Sequence, residues 1–438
     1  MSHTRTILIV GGGFTGLTAA LRLAADPANK ITLVESAPQL GGLAAGFPLA
    51  GTSLEKTYHH LFLTDTSILD LVRELGLADR LMWCDSSVGV FRDGRIYAFK
   101  TPQDLLRFDP CSFPGRWRTG LTALYLKHQK NWRGLAAVTA HDWMTRACGA
   151  SAMASIWTPL LKGKFDRHYQ NVSMAWLWAR IHTRANSRSG GGGGSEKLGY
   201  FRGGFNVVTT ALEAELRRRG VTLRTGATVS AISAERTAVI NGETVAFDDC
   251  LFTGPSPALA RLLPAGEAYR AYAGQLCRVE YLGAVCLVFT SDQDLGNYYW
   301  VNVNAPDAPF LVFLNHTRLV GRETYGGRHV YYIGAYLDPE GEVFGLPDAA
   351  LKARWFAYLQ RMFPEFEAGR VGEQHVFRFR AAQHIVDTQY AAKIPDYRTP
   401  VPGVWLANFS QIFPEDRGTN FAVREGEKVA RLILAAAR

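Results

Sequence analysis

Three glycines and one carboxylate carry the first legible chemistry of this chain. Gly11, Gly13 and Gly16 stand as G-x-G-x-x-G, and Glu35 follows about 20 residues on. Gly11 permits a tight turn, Gly13 lets the backbone approach a pyrophosphate, and Gly16 lets a helix pack close on a strand. Phe14, Thr15 and Gly16 open that helix, so its first amides face the pyrophosphate with their dipole. The Glu35 carboxylate can accept hydrogen bonds from the ribose hydroxyls of an adenosine. The chemistry is dinucleotide binding.

Such residues work only if particular elements hold them. An apolar strand must precede the glycines, a helix must follow, and a second strand must end on the acid. Residues 6–10 (TILIV), 17–25 and 31–35 (ITLVE) supply the three in order. A second glycine pair, Gly41-Gly42, follows in the stretch SAPQLGGLA from Ser36 to Ala44. This stretch resembles the segment of FAD flavoproteins that passes under the FAD diphosphate, in the flavin amine oxidoreductase superfamily of amine oxidases, protoporphyrinogen oxidases and phytoene desaturases. The resemblance implies FAD as cofactor, with Ser36, Gly41, Gly42, Leu43 and Ala44 beside it. The family often places Lys or Arg after the acid and Arg after the glycine pair. Ser36 and Leu43 stand there in this chain, so main-chain amides must carry more of the diphosphate.

Residues 58–65 read YHHLFLTD, and 67–75 have the apolar spacing of a helix stopped by Gly76. This segment is similar to that of the UDP-galactopyranose mutases, which place a histidine against the isoalloxazine. His60 is thereby the flavin-facing and catalytic candidate; the alternative is a core histidine bonded to backbone. Residues 197–205 (KLGYFRGGF), leading to a helix over 207–219, resemble the superfamily's return to its FAD domain. In relatives a residue at the position of Val229 holds the adenine through its backbone. Strands are expected at 221–224, 227–232 and 250–252, with a hairpin through Asn241-Gly242.

The last segment resembles the superfamily's final FAD contact, a strand ending in Gly-Asp before a helix. Ala407-Asn408 stands in its place here, ahead of Pro414 to Asn420 and a helix over 421–437. Three readings stay open. Asn408 takes the ribityl contact; the insertion with Glu415 and Asp416 supplies it; or Asp416 is tied to Arg417 or caps the helix. Thr419 and Asn420 lie at that helix N-terminus, which in relatives faces the flavin.

The intervening residues are of another character. A hairpin with an Asp93-Gly94 turn spans 88–99, and eight of the ten tryptophans lie between 83 and 300. They line an apolar cavity, face a membrane interface, or pack as core. Residues 113–135 interleave Arg116, Arg118, Lys127, Lys130 and Arg133 with apolar side chains, as a helix lying on an anionic membrane does, or a solvated charged face. Five glycines, 190–194, read as a flexible loop. Residues 266–390 alternate strand-like runs with one helix at 351–362; Tyr298, Tyr299, Trp300, Tyr331, Tyr332 and Tyr336 give that sheet an aromatic wall, alternation sending about half to each face.

Length and composition agree. With 438 residues, 47% hydrophobic and 20% charged, the chain has material for two or three domains. The net charge of +9 attracts anions, but no motif or basic block points to nucleic acid. Six scattered cysteines without C-x-x-C indicate a reducing cytoplasm, with peripheral membrane contact open, and no His spacing suits a metal. No run of 18 apolar residues spans a membrane.

The expected fold is α/β, α+β overall: a discontinuous Rossmann-like FAD-binding domain (1–75, 198–265, 396–438) with a mixed helical and antiparallel-sheet substrate domain (76–197, 266–395). The resemblance implies an FAD-dependent oxidoreductase that oxidises or desaturates an apolar small molecule by hydride transfer to flavin N5. The alternative is a non-redox isomerase acting on a nucleotide sugar; a third reading is a flavin-binding partner subunit without turnover. Without a second G-x-G-x-x-G, no NAD(P)H domain is expected. Electron acceptor and oligomeric state stay open.

Overall fold

The computed structural model of the chain describes residues 4–187 and 197–436, so the five glycines at 190–194 and the helix end at Ala437 lie outside the described residues. The apolar strands at the N-terminus enter a five-stranded sheet. Its order from edge to edge is Val404–Leu406, Asp249–Phe252, Arg5–Val10, Asn29–Glu35 and Thr222–Thr225. Every neighbouring pair is parallel. A parallel sheet is covered on both faces, and the central strand is accordingly buried over Ile7, Leu8 and Ile9, while the edge strand Thr222–Thr225 stays polar and partly exposed. Ile7 and Ile9 join one core while Leu8 joins another on the opposite face.

The order of strands reverses between Arg5–Val10 and Asp249–Phe252. At such a reversal the connections leave in opposite directions and open a crevice at the carboxyl ends of the strands. Gly11, Glu35, Thr253 and Asn408 all lie at those ends. Two helices, Phe14–Leu23 and Thr419–Ala435, pack against each other on one side of the sheet. Gly426 permits that approach: a Cβ there would lie 2.5 Å from the Thr15 carbonyl oxygen.

A second sheet has seven strands, in the order Val371–His384, Tyr281–Ser291, His329–Leu337, Val312–Asn315, Trp300–Val303, Val88–Arg92 and Arg95–Ala98. It is antiparallel except where Trp300–Val303 runs parallel to Val88–Arg92. Both expected Asx-Gly turns form. Asp93 and Gly94 have φ of 50° and 79°, and Asn241 and Gly242 of 49° and 86°, the left-handed values a two-residue hairpin needs. Alternation splits the aromatic wall as anticipated: Tyr331 enters one core and Tyr332 another.

Along the chain between the strands Arg95–Ala98 and Lys197–Phe201 lies a helical layer built from Phe113–His128, Ala140–Cys148, Thr158–Phe165 and Met174–Ser187. It has its own core, in which Trp157, Trp176 and Trp178 are buried, so these three tryptophans pack rather than face solvent. The basic helix is shorter than the 113–135 expected. Its α-helical hydrogen bonding stops at His128, Gln129 is the C-cap, and a short 3₁₀ turn follows at Arg133–Leu135. Phe113, Trp117, Leu121, Leu124 and Tyr125 share one face and are 50–62% exposed. Among the described residues, no helix is long and apolar enough to cross a membrane.

Candidate active site

The crevice at the strand reversal is a cleft of about 710 Å³. Its floor is main chain. A Cβ on Gly42 would come within 3.1 Å of the Gly13 Cα, so the two glycine turns already touch and leave their backbones open to a ligand. Gly16 does not line the cleft. A Cβ there would fall 2.0 Å from the Gly11 carbonyl oxygen, which is the close strand–helix approach expected of it. The helices Phe14–Leu23 and Thr419–Ala435 have Gly13 and Gly418 as N-caps, neither able to cap with a side chain. Both N-termini point their uncompensated amides and dipoles into one cleft. These glycine faces and uncapped helix ends fit a dinucleotide diphosphate.

Glu35 lies at the end of its strand and lines the cleft. Its carboxylate accepts from the Gly12 amide at 2.7 Å and the Ala37 amide at 2.8 Å, with the Ser36 hydroxyl at 3.2 Å. The acid therefore ties the glycine turn to its own strand and keeps further lone pairs for a ligand. Phe14, Thr15, Ser36, Gly41, Leu43, Ala44 and Val229 line the same cleft. Asn408 lines it too, but its side chain is spent on structure: Nδ2 donates to the Gly254 carbonyl at 2.7 Å, and Oδ1 accepts from the Ser410 amide at 2.8 Å. Two cations, Arg417 and the Arg261 that the sequence does not single out, border the cleft, to which Ser36 and Leu43 bring no charge.

A smaller cavity of about 210 Å³ opens beside the cleft, the two sharing Leu43, His59, Arg417, Gly418 and Thr419. Tyr58, Trp300 and Tyr336 form its aromatic walls. Tyr58 and Trp300 meet edge to face at 5.1 Å, and Gly334 makes room for them, since a Cβ there would stand 2.7 Å from the Tyr58 ring. His60 lines this cavity, with Nδ1 3.2 Å from the Tyr299 hydroxyl. The residue shared with the cleft is its neighbour His59, which the sequence does not single out. Asn420 also faces the cavity; its Oδ1 accepts from the Ile68 amide at 3.2 Å.

Asp416 is neither the helix cap nor hydrogen-bonded to Arg417, which corrects that reading. Gly418 is the cap, and the Asp416 carboxylate accepts from Lys164 at 3.0 Å and Arg180 at 2.8 Å. A glycine can cap because nearby charges and ligands, rather than its own side chain, answer the helix dipole. Burial alone would raise the Asp416 pKa; the charges of Lys164, Arg180 and Arg417 outweigh it and hold the carboxyl well below the usual range. Burial, aided by Arg184, His59 and Arg180, pushes the His60 imidazole down to about 3. Burial likewise pushes His59 down to about 4, with Arg417 adding and the Thr57 carbonyl opposing. Both rings are neutral at pH 7. Lys164, Arg180 and Arg184 reach the site from the helical layer, where no spacing in the sequence marks them. Among the described residues, no group of three or more His, Cys, Asp or Glu is arranged to hold a metal ion.

Residues 14–434 match the family model described as flavin containing amine oxidoreductase. A 15-cis-phytoene desaturase from an Oncidium hybrid cultivar is 34% identical over 118 residues, 25% of this chain and 19% of the desaturase. The chain thus spans about a fifth of the length of that curated relative. The whole chain superimposes on a protein provisionally described as a protoporphyrinogen oxidase from Exiguobacterium sp. 255-15, with TM-score 0.78, 17% identity and 99% of both chains covered. Reduced UDP-galactopyranose mutase gives TM-score 0.76 at 16% identity, over 99% of this chain and 96% of the other. At such identities the two structures show a shared fold.

Proposed function

We propose, for a chain that belongs to the flavin containing amine oxidoreductase family and is an FAD-dependent oxidoreductase, a two-electron oxidation or desaturation of a small molecule held in the cavity beside the cleft. The observation that carries this reading is the sharing of His59, Arg417, Gly418 and Thr419 between a dinucleotide cleft and an aromatic-walled cavity. FAD, when bound, supplies the two-electron acceptor of a hydride leaving the substrate. The chain's residues do the rest. The glycine turns and two helix N-termini would hold the diphosphate and the flavin edge, and Glu35 the adenosine ribose. Tyr58, Trp300 and Tyr336 would orient the substrate and exclude water. His60, neutral and inside the cavity, is the acceptor we assign to the proton that leaves with the hydride; its low basicity makes it a weak base that works by position. Residues 1–75, 198–265 and 396–438 would serve the cofactor, apart from side chains such as Tyr58 and His60 that line the cavity, and 76–197 with 266–395 the substrate.

Anaerobic addition of substrate should bleach the oxidised flavin, and admitting oxygen or another acceptor should restore it. A second reading is an isomerase of the nucleotide-sugar type, favoured by the four basic side chains of the cavity. That protein would turn over only after prior reduction, without bleaching by its substrate. The apolar, exposed face of Phe113–His128, flanked by Lys127, Lys130 and Arg133, supports peripheral contact with an anionic membrane surface, and the unpaired cysteines support a cytoplasmic setting.

A further inference from the structure

We infer that the cavity recognises its small molecule through an acidic group, a carboxylate or phosphate, seated among Lys164, Arg180 and Arg417. The inference rests on reading this cavity as the substrate site and names the charge of what enters it.

The balance of charged groups is one-sided. Lys164, Arg180 and Arg417 line the cavity, against the carboxylates of Asp65 and Asp416. Asp65 is turned to the chain, its Oδ2 accepting from the Phe62 amide at 2.8 Å. Asp416 alone answers two cations, Lys164 and Arg180, through one oxygen, Oδ2. That shared contact fixes both heads side by side, with the Trp176 indole N–H on the other oxygen at 3.4 Å. Neither histidine adds a negative charge. Arg417 donates from Nη2 to the Tyr336 hydroxyl at 2.8 Å, yet its Nε is buried without a hydrogen-bond partner. A planar guanidinium with an unused edge, beside two aligned cations and away from bulk water, suits an oxyanion.

Other ligands fit worse. An ammonium would enter a cavity of like charge, and a neutral molecule would leave the Arg417 Nε unmatched. The anion could instead belong to the cofactor, because Arg417 also borders the cleft. Lys164 and Arg180, however, line the cavity and not the cleft, which places the charge surplus on the substrate side. With the rings of Tyr58 and Trp300 lining the same cavity, the fitting molecule is an amphiphile: an apolar or aromatic body carrying one acidic group.

The test uses FAD-loaded protein and four probes that share one ring: phenylacetate, benzyl phosphate, benzyl alcohol and benzylamine. Binding is read from the flavin absorbance change and by calorimetry. At least one anion should bind about 10-fold or more tightly than the alcohol, and benzylamine more weakly than the alcohol. Arg180→Gln and Arg417→Gln should each cost the anion about 10- to 100-fold and leave the alcohol unchanged. If a variant fails to fold, the unaltered protein still decides: raising salt from about 0.02 M to about 0.5 M should erode the anion advantage. Benzylamine binding as well as the anions, no headgroup preference, or no binding by any probe overturns the inference. So does an Arg417→Gln protein that loses FAD but keeps its anion preference. None of these outcomes touches the redox reading, which fails separately, on the absence of bleaching.

Discussion

Glu35 and His60 are the two side chains on which most depends. Removing the Glu35 carboxylate deletes a charge-assisted contact worth roughly 1.5–3 kcal/mol, so Glu35→Ala should weaken FAD binding by about 10- to 100-fold in a titration of apoprotein. The loss has two parts, because the carboxylate also fixes the Gly12 and Ala37 amides. Glu35→Gln keeps one acceptor and should fall between wild type and Ala; wild-type affinity in a folded Glu35→Ala protein would show that another acid serves. For His60 the expectation is different. It lines the cavity and not the cleft, so His60→Ala should retain FAD while its spectrum shifts and turnover drops about 10²-fold or more. A variant with unchanged spectrum and rate would make His60 a packing residue. The sequence reveals the glycines and Glu35 because their chemistry is bound to a local pattern. It points to His60 and passes over His59, since which of two adjacent side chains faces the cleft depends on strands distant in the chain. Lys164, Arg180 and Arg184 were illegible for the same reason: they are ordinary basic residues until the helical layer folds over the sheet.

The elements follow their signals closely where the signal is local. Both Asx-Gly turns form. The C-terminal helix begins at Thr419, two residues before the 421 expected, with Gly418 as its cap rather than Asp416, one of the readings the sequence leaves open. Helix Phe113–His128 offers a separate test. Six of the eight large apolar side chains most exposed among the described residues are on it and on the preceding helix Pro102–Arg107. Exposed side chains contribute little to folding, so Trp117→Glu and Leu121→Glu should change stability by no more than about 0.5 kcal/mol. Burying either in lipid is worth roughly 1.5–3 kcal/mol, so each should reduce sedimentation with anionic phosphatidylglycerol vesicles by about 10-fold or more. Equal sedimentation of wild type and variants, or none with any vesicle, would leave the face without a lipid role.

Over the whole molecule, buried histidines set the response to acid. Burial pushes His59 down to about 4 and His60, His316 and His384 down to about 3. Unfolded, they titrate near 6.5. Between about 6.5 and about 4 the unfolded chain therefore binds more protons, and stability falls as the pH falls. Glu55 acts oppositely. Burial raises it to about 7 despite bonds from Tyr200 and the Phe205 amide, so its contribution is present below 4.5 and lost as pH rises through about 7. Burial likewise raises Asp65 to about 6, but four histidines outweigh two carboxylates, and Tm should decline from pH 7 to pH 5; a flat or rising Tm would contradict the assignment of neutral buried rings. The cleft has a last consequence, in time rather than space. Its two uncapped helices start at Phe14 and Thr419, and the edge strand Val404–Leu406 joins between them. A ribosome has thus released nearly all of this sequence before the second half of the cradle exists. Flavin loading should wait for Val404–Leu406 and Thr419–Ala435, and translation halted before Val404 should yield a colourless product with the Asp249–Phe252 edge bare, a target for chaperones and proteases. Yellow colour in a cell extract should then count chains translated through the helix Thr419–Ala435, not chains merely initiated.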